Sequence, residues 1–460
     1  MGAVNKTVAE QLGEHLVGLD YDTLPATVIQ SVKEAVLDNL GCQLIGSTLD
    51  WCKIIYNFIE GFAGKPESSV VNHTLKTWPH DAAFANATFG HACELDDHMD
   101  TGGGHPGATS VGVSFALGEK EKANGREIIA AIAACYETSW RLGRAMMPES
   151  LERGWHSQSL IGVFAAAATA GRLLKLNPTQ FAHAFAIAGS HASGTREYTQ
   201  SGGEVKRMHS GISARAGIQS ALLAKAGLTG PLTIFEGKQG ILALFCGKKD
   251  ATPIIDGFRE DFGALHIEYK YYPVNISAQS AVGLVSRLLR DQAIQTADVA
   301  RIDVTLRGGE HSVLSLGTIR EPKDALGAQF SLPFSLAIAV VKRSNALGLY
   351  TDPAVRQDPV VLEMIKKIHL HPDPLADQRV GLGVQGSMVK MTLTDGKVLD
   401  TEEQYQKGHR NNPLTPEEFA DKFRGLASSV LSPEKAEEVI KTVNRLEELE
   451  DITKLTSLLR

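Results

Sequence analysis

The stretch SLIGVFAAAATAGRLL, residues 159–174, is rich in alanine and almost entirely apolar. A helix that is apolar on all sides is buried at the centre of a fold, and its small side chains let neighbouring helices approach closely. FAHAFAIAGSHASG, residues 181–194, has the same character. Asn177 and Pro178 in front of it are typical of an N-cap and a first-turn residue. These stretches predict a core of closely packed helices.

Apolar residues recur at spacings of three and four over most of residues 7–245, which indicates helices almost throughout. The pattern changes near residue 265. HIEYKYYP, ARIDVTLRGG and SMVKMTLTDGKVLDTEEQY alternate apolar and polar residues, and the third contains an Asp-Gly turn, which is a hairpin signal. Two helical stretches lie between these segments. Polar amphipathic helices return after about residue 405.

A chain of 460 residues exceeds what one hydrophobic core usually organises. We therefore expect a mainly α protein with an α+β second domain. The large all-helical domain is formed by both chain ends, residues 1–266 and 405–460. The smaller α+β domain spans residues 267–404, which is a typical domain size.

The formal net charge of −7 argues against a general affinity for nucleic acid, because neutralising its backbone requires concentrated Lys and Arg. The N-terminal residues lack the pattern of a secretory signal, and no apolar stretch approaches the length that spans a bilayer. The five cysteines are scattered without a C-x-x-C pair, which is typical of reduced thiols. We expect a cytoplasmic protein with no nucleic-acid or membrane partner.

The segment ELDDHMDTGGGHPG, residues 94–107, contains a literal G-x-G-x-x-G. A dinucleotide site requires a strand before this turn and a helix after it, whereas here acids precede the glycines and Pro106 lies inside the turn. A second match, GLGVQG at 381–386, leads into the hairpin and fails for the same reason. Neither match predicts a nucleotide site.

The same segment offers oxygen and nitrogen ligands for a divalent ion. An acidic loop at a helix end is more often a capping and solvated feature, and no histidine pair has the i, i+4 spacing. We expect no metal. The residues concerned are Glu94, Asp96, Asp97, His98, Asp100 and His105.

Cationic side chains recur beside glycine or proline turns at the predicted ends of elements. His156 lies in RGWHSQS, Lys206, Arg207 and His209 lie in SGGEVKRMHSG, and Lys270 lies in EYKYYP. Cations stabilise a carbanion that is delocalised into a carboxylate, while His or Lys moves the proton. This pattern favours one pocket for a small anionic di- or tricarboxylate.

Six stretches, in order and over essentially the whole chain, resemble the MmgE/PrpD family, which includes 2-methylcitrate dehydratase, cis-aconitate decarboxylase and iminodisuccinate epimerase. They are ELDDHMDTGGGHPG, GWHSQS, GGEVKRMHSG, YKYYP, QFSLPF and GHRNNPLT. The resemblance implies a large helical domain, a smaller α+β lid domain, a homodimer, and no metal or organic cofactor.

The resemblance also implies an active site between the two domains. From the chemistry of water loss we expect His105 and His156 to transfer protons, Lys206 and Lys270 to bind carboxylates, and Asp96 to orient a histidine. A lysine could exchange roles with a histidine, because burial can lower its pKa into the working range. The remaining expected contacts to substrate are Glu94, His98, Arg207, His209 and Tyr272.

The chain departs from the family pattern at three positions. Decarboxylase members have a tyrosine where this chain has Phe334, and Asn275 and Gln279 replace a cysteine and a histidine that are frequent in relatives. Loss of the phenol removes a hydrogen-bond donor, which disfavours decarboxylation of cis-aconitate. The leading expectation is a cofactor-independent lyase of the 2-methylcitrate dehydratase type, which removes a proton next to a carboxylate and expels water.

Several alternatives stay open. The nearest is a dicarboxylate isomerase or epimerase like iminodisuccinate epimerase, followed by a cis-aconitate decarboxylase. A non-catalytic carboxylate-binding protein and a metal-dependent lyase complete the set.

Overall fold

The computed structural model describes residues 6–376 and 386–460. Within them the chain is mainly helical with a small mixed sheet, as expected. Its internal contacts divide it into two compact units: a first unit of Met1–Arg196, Val205–Glu268 and Thr415–Arg460, and a second unit of Glu197–Glu204 and Tyr269–Leu414. The boundaries expected at 266 and 405 stay a prediction. Most of the GLGVQG match lies outside the described residues.

Helices make up most of the first unit, with α11 alone among the first thirteen belonging to the second unit. They are α1 (Val8–Val17), α2 (Ala26–Ser47), α3 (Asp50–Gly61), α4 (Pro79–Gly90), α5 (Pro106–Glu121), α6 (Gly125–Met146), α7 (Glu149–Glu152), α8 (Ser157–Leu160), α9 (Gly162–Leu173), α10 (Pro178–Gly189), α11 (Tyr198–Ser201), α12 (His209–Lys225) and α13 (Thr252–Ile255).

Helix α9 is buried among α5, α6, α10 and α12, as its alanine-rich sequence predicts. All of its twelve residues except Arg172 are buried. Small residues permit this packing, since a Cβ on Gly217 of α12 would lie 2.3 Å from Ala166 Cβ. The predicted 159–174 helix is divided at Ile161 into α8 and α9.

Helix α10 begins as the sequence predicts. The Asn177 side chain accepts a hydrogen bond from the Gln180 backbone N–H in a complete capping box, and Pro178 is the first helical residue. The helix ends at Gly189 rather than at residue 194.

The expectation of an all-helical first domain needs a correction, because this unit contains two short antiparallel ladders. The first joins β1 (Ser68–Ser69) to β2 (Lys76–Thr77), and the second joins β3 (His98–Met99) to β4 (Ile267–Glu268). Strand β3 precedes the glycine turn, but it is antiparallel and two residues long, unlike the parallel strand of a dinucleotide site. Only Ile267–Glu268 of the predicted HIEYKYYP strand is a strand.

The second unit is built on a four-stranded sheet in the order β6-β5-β7-β8. Strands β5 and β6 are parallel, while the pairs β5-β7 and β7-β8 are antiparallel. Strands β7 and β8 form the predicted Asp-Gly hairpin, but β6 was not predicted. The strands are β5 (Val299–Leu306), β6 (Ile368–Pro372), β7 (Ser387–Leu393) and β8 (Val398–Glu403).

Alternate residues of β5 are buried, which places an apolar face against helices. The two predicted helices of this region, α14 and α17, are confirmed and contribute to the core. The helices are α14 (Gln279–Asp291), α15 (Gly309–Gly317), α16 (Ala325–Gln329), α17 (Leu332–Lys342), α18 (Leu347–Thr351), α19 (Pro353–Arg356) and α20 (Pro359–Lys366).

Three C-terminal helices complete the first unit: α21 (Pro416–Ala427), α22 (Pro433–Asn444) and α23 (Thr453–Thr456). Helix α21 packs against α2. Lys422 Nζ donates to Asp38 Oδ1 at 2.5 Å and to the Leu95 carbonyl at 2.7 Å. Helix α21, near the C-terminus, therefore contacts the segment of residues 94–107 at the Leu95 carbonyl.

Among the described residues, no helix combines the length and apolarity needed to cross a bilayer. A cytoplasmic location stays a prediction.

Candidate active site

The turn before α5 brings His105 to the start of that helix. Gly104 has a φ of +94°, which L side chains rarely adopt, and a Cβ there would lie 2.6 Å from Gln158 Oε1. A Cβ on Gly107 would lie 2.8 Å from Asp97 Oδ1. These glycines serve close packing around His105, and the Gly107 N–H donates to the Asp97 carboxyl group at the helix start.

Hydrogen bonds fix the orientation of the His105 ring. Its Nδ1 lies 2.6 Å from the Asp97 carbonyl oxygen. A carbonyl only accepts, so Nδ1 carries the proton and the neutral ring has its lone pair at Nε2. The Gln158 side chain accepts from the His105 backbone N–H and donates to Thr109 and Ser210. Both ring and backbone of His105 are therefore held.

Asp97 is itself anchored, because Tyr136 Oη donates to its Oδ2 at 2.7 Å. Burial raises the pKa of Asp97 to about 8, the nearby charge of Asp96 adds to the rise, and the Tyr136 hydrogen bond opposes it. Asp97 thus holds His105 through its carbonyl and α5 through its side chain.

Asp96 is paired most closely with His91. Its Oδ2 lies 2.7 Å from His91 Nδ1 and 3.5 Å from His105 Nδ1, and the side chains of His91 and Asp96 are fully buried. The sequence predicts that Asp96 orients a histidine, and the histidine in hydrogen-bond contact with it is His91. This role stays a proposal.

Five histidines form a continuous group, which we call the histidine row: His98, His105, His91, His156 and His209. Successive ring centroids are 5.6, 4.7, 6.2 and 4.9 Å apart. All except the partly exposed His98 are buried. The row joins segments that are far apart in sequence.

His156 and His209 form one end of the row, with their Nδ1 atoms 2.7 Å apart. Burial, and then the charge of Lys206, lower the pKa of His209 to about 4. Burial, His209 and Lys206, in that order, lower the pKa of His156 well below its usual value. Both rings are therefore neutral near pH 7.

Lys206 forms a buried ion pair with Glu94. Glu94 has a φ of +56°, which is uncommon for a residue other than glycine. Such strained backbone persists only where the surrounding structure imposes it. The pair places one cation beside the His156 and His209 rings.

Arg207 and His98, the two other residues of this unit that are expected to contact substrate, both contact protein groups. Arg207 donates to the Ala92 carbonyl and lies 4.3 Å from the centroid of the Trp51 ring. His98 lies opposite Glu268 in the β3-β4 ladder, with His98 Nδ1 3.5 Å from Glu268 Oε2. Substrate binding by either stays a prediction.

Within the first unit the structure therefore brings together eight of the ten expected site residues. The other two, Lys270 and Tyr272, belong to the second unit. Lys270 is buried, and burial raises the pKa of Tyr272. Their expected roles stay a prediction.

Models of known families match most of the chain. A model described as the MmgE/PrpD N-terminal domain matches residues 10–254, and one described as the MmgE/PrpD C-terminal domain matches residues 272–448. The chain belongs to the MmgE/PrpD family. The resemblance found in the six sequence stretches is thereby confirmed, including its two-domain organisation.

Similar proteins cover nearly the full length of the chain. A cis-aconitate decarboxylase of Homo sapiens is 26% identical over 469 residues, which cover 99% of this chain and 95% of the human protein. A cis-aconitate decarboxylase-like protein oryM of Aspergillus oryzae is 26% identical, with 98% and 97% covered. A cis-aconitate decarboxylase of Aspergillus terreus is also 26% identical, with 96% and 93% covered. These relatives support an enzyme of a lyase family that acts on carboxylates.

Two departures from the MmgE/PrpD pattern have structural roles. Gln279 Oε1 accepts from the backbone N–H groups of Tyr271 and Tyr272, and its Nε2 donates to the carbonyls of Tyr272 and Val274. The Asn275 side chain accepts from the Ser277 N–H. Both residues stabilise the turn that follows Lys270.

The third departure, Phe334, is fully buried in the core of the second unit. Its ring centroid lies 5.9 Å from that of Tyr350. The Tyr350 hydroxyl accepts from Asn345 Nδ2 at 2.8 Å, and burial raises the pKa of this tyrosine. The Tyr350 hydroxyl therefore lies near Phe334, but Tyr350 is buried in the core of the second unit and its hydroxyl is hydrogen-bonded to Asn345.

Among the described residues, one group has the spacing of metal ligands. His91, Asp96 and His105 each offer a ligand atom within 4.8 Å of the others. Two histidines and a carboxylate are a donor set that binds zinc. An ion bound through both Nδ1 atoms would replace the hydrogen bonds that His91 makes to Asp96 and His105 makes to Asp97.

Sequence reasoning missed His91, Tyr136 and Gln158. His91 carried a weak signal, since it stands three residues before Glu94 at the end of α4. Gln158 lies two residues after His156, on α8. Tyr136 gave no signal, because it lies in the middle of the long helix α6, away from any turn.

Proposed function

We propose that the chain is a cofactor-independent lyase of the 2-methylcitrate dehydratase type, acting on a small di- or tricarboxylate. The observation that carries this proposal is the fixed tautomer of His105. Its Nδ1–H is committed to the Asp97 carbonyl, so a lone pair at Nε2 is available in the neutral ring to take a proton.

The remaining roles follow from charge and burial. His105 and His156 share proton transfer, because one group must take the proton next to a carboxylate and another must give a proton to the leaving hydroxyl. Lys206, beside His156 and His209, stabilises the developing negative charge in a buried environment. Lys270 is assigned to a second carboxylate by the family resemblance.

A substrate panel tests the reaction class. Purified protein is incubated with citrate-like, aconitate-like and aspartate-derived acids in deuterated water, and the products are analysed by ultraviolet absorbance and mass spectrometry. Loss of water with formation of a conjugated acid supports the proposal. Deuterium uptake without water loss would indicate an isomerase or epimerase, and tight binding without exchange or turnover would indicate a non-catalytic protein.

His105→Gln tests the residue assignment, with His183→Gln as the matched control. General acid–base groups contribute on the order of 100- to 10,000-fold, so we expect kcat to fall by at least about 100-fold for His105→Gln. His183 is hydrogen-bonded to Gly230 and has no assigned role, so kcat of its variant is unchanged. Unchanged turnover in His105→Gln overturns the assignment.

Chelation tests the cofactor assignment, since a metal-dependent lyase would use His91, Asp96 and His105. Full activity after dialysis against EDTA, with no metal in the active protein by elemental analysis, supports a metal-independent reaction. Activity that is lost and then restored by Zn²⁺ contradicts it.

Decarboxylation is the second candidate, favoured by the full-length similarity to proteins named cis-aconitate decarboxylase. Release of CO2 from cis-aconitate without water loss would replace the leading proposal. Phe334→Tyr sharpens this test, because it restores the phenol found in decarboxylase members. Gain of CO2 release by this variant would indicate that the missing phenol limits decarboxylation, whereas no gain would leave Phe334 as a core residue of the second unit.

We also propose a homodimer, as the family resemblance implies. Helix α3 exposes Ile54 and Phe58, and Phe62 follows directly after its last residue; these three apolar side chains, spaced by four, are 68%, 49% and 74% exposed. An exposed apolar stripe of this kind is typical of an interaction surface. Light scattering should give twice the chain mass, and Ile54→Asp combined with Phe62→Asp should give one chain mass if α3 lies in the interface.

A further inference from the structure

The contact between His156 and His209 restricts where their protons reside. The two Nδ1 atoms lie 2.7 Å apart and the ring planes are inclined by 43°. A hydrogen bond between two imidazole nitrogens needs one N–H and one lone pair. In the neutral pair, one ring is therefore the Nδ1–H tautomer and the other is the Nε2–H tautomer.

The surroundings keep both rings neutral and in place. His156 faces His209, Lys206, His91 and Arg196, and all of these lower its pKa in addition to burial. Its backbone N–H donates to the Gly194 carbonyl at 2.9 Å. His209 is the first residue of the seventeen-residue α12. The two histidines are thus held by different segments that meet at this contact.

Protonation of His156 has a defined consequence in this geometry. When the ring takes a proton at Nε2, it becomes an imidazolium whose Nδ1–H must donate to His209 Nδ1. His209 then has to present its lone pair at Nδ1, with its own proton at Nε2. A neighbour that only donated would oppose this step.

We propose that His209 is a positioning residue that selects the Nδ1–H tautomer of His156 and accepts that hydrogen bond when His156 becomes charged. His209 acts through His156 and does not touch substrate, in contrast to the substrate contact expected from sequence. The kinetic consequence rests on the proposed proton transfer by His156, whereas the tautomer itself does not.

Two substitutions separate the polarity of His209 from its shape. His209→Phe keeps a ring but removes the acceptor, so we expect kcat to fall about 100-fold while KM changes by less than about threefold. His209→Asp supplies an acceptor that is also an anion. This variant should recover most of kcat and move the pH limb governed by His156 upward by about one unit, because a nearby carboxylate raises the pKa of histidine.

A matched control identifies purely structural effects. His15 is buried and bonded to Glu137 at 2.9 Å, away from any assigned role. His15→Gln should lower the thermal midpoint without moving the pH profile. If His209→Phe and His209→Asp have equal kcat and unshifted pH profiles, His209 is structural and the proposal is wrong.

Nitrogen NMR tests the tautomer without any substrate. In protein labelled with ¹⁵N-histidine, His156 is assigned by comparison with His156→Gln. We expect a protonated Nδ1 on His156, an unprotonated Nδ1 on His209, and a coupling between the two nitrogens that is absent in His209→Phe. The reverse tautomers, or no coupling, overturn the proposal even if the enzyme is active. If the expected tautomers are found in a protein that turns over no polycarboxylate, the proposed contact between His156 and His209 is supported and the proposed function is wrong.

Discussion

Two histidine–aspartate pairs in this protein have the same length and opposite surroundings. In the first unit, His91 Nδ1 lies 2.7 Å from Asp96 Oδ2, and neither side chain is exposed. In the second unit, His371 Nε2 lies 2.7 Å from Asp303 Oδ1, with the side chains 47% and 20% exposed. Distance alone does not distinguish the pair that we place in the active site from a pair on a sheet surface.

The two pairs differ in their exposure to water, which screens the charges of the exposed pair. Exposed pairs are screened and contribute about 0 to 1 kcal/mol, whereas removing one partner of a buried pair leaves a charge without compensation. Arg301 and then His371 stabilise the charged form of Asp303, which lowers its pKa to about 2. The buried pair has the environment in which proton positions can be fixed.

The largest expected effect concerns stability. His91→Ala should lower the free energy of unfolding by roughly 3 to 5 kcal/mol, because Asp96 loses a buried partner. His371→Ala should change it by less than about 1 kcal/mol, because its partner is exposed to water and also paired with Arg301. Urea denaturation at pH 7 measures both, and equal losses would erase the contrast between the two pairs.

The next effect concerns turnover. Asp96→Asn keeps the shape of the side chain but removes its charge from His91 and His105, so we expect kcat to fall by about 100-fold, equivalent to about 2.7 kcal/mol. The control, Asp303→Asn, should retain wild-type kcat. Steady-state kinetics on the substrate found in the panel decides the matter, and an active Asp96→Asn would confine that residue to a structural role.

A smaller effect sharpens the view of the glycine turn. Gly104 and Gly154 both have positive φ, +94° and +86°, but only Gly104 has close neighbours at its Cβ position. Gly154→Ala should cost roughly 1 to 2 kcal/mol from backbone strain alone. Gly104→Ala should cost more and also lower kcat, because Gln158 must move and it holds His105. Equal stability and equal kcat in the two variants would show that the packing of Gly104 against Gln158 does not affect His105.

The smallest effect is a pH dependence of opposite sign at two histidines of the first unit. Burial by itself would lower the pKa of His266, but Asp100 and Asp261 raise it above its usual value. Its contribution to stability is therefore present below about pH 6.5 and is lost as the pH rises through the raised pKa. The pKa of His209 is lowered to about 4, so its contribution to the stability of the protein is present above about pH 6.5 and is lost as the pH falls.

The measurement is the free energy of unfolding between pH 5 and 8. Relative to wild type, His266→Gln should be destabilised most at the acidic end, and the difference should become smaller as the pH rises. His209→Gln should instead lose less stability on acidification than wild type does. Parallel curves for all three proteins would contradict both pKa directions.

Much of the fold follows from local sequence. The burial of α9, the cap at Asn177 and the hairpin of β7 and β8 each depend on side chains within a few residues of one another, so periodicity and turn chemistry predict them. Strand β6 escaped prediction because it is short and is stabilised by parallel pairing with β5, which is remote in the chain.

The sequence predicted four of the five histidines that form the row, but not how they contact one another. His105, His156 and Lys206 stand beside glycine or proline turns, and this pattern in the sequence predicts that they share a pocket. The partners of these residues depend on tertiary packing, as His156 and His209 are 53 positions apart and meet through a single hydrogen bond. Asp96 was expected to orient a histidine, but spacing alone could not indicate His91.

Lys422, which bonds to Asp38 and to the Leu95 carbonyl, has a consequence for synthesis of the protein. It follows Asp38 by 384 residues, which a ribosome adding about 5 to 20 residues per second needs roughly 20 to 80 seconds to translate. After His209 has been added, the nascent chain contains every histidine of the row but still lacks Lys422 until the remaining residues up to position 422 are translated. A chain that terminates before Thr415 would therefore contain the histidine row without the contacts that Lys422 makes to Asp38 and to the Leu95 carbonyl.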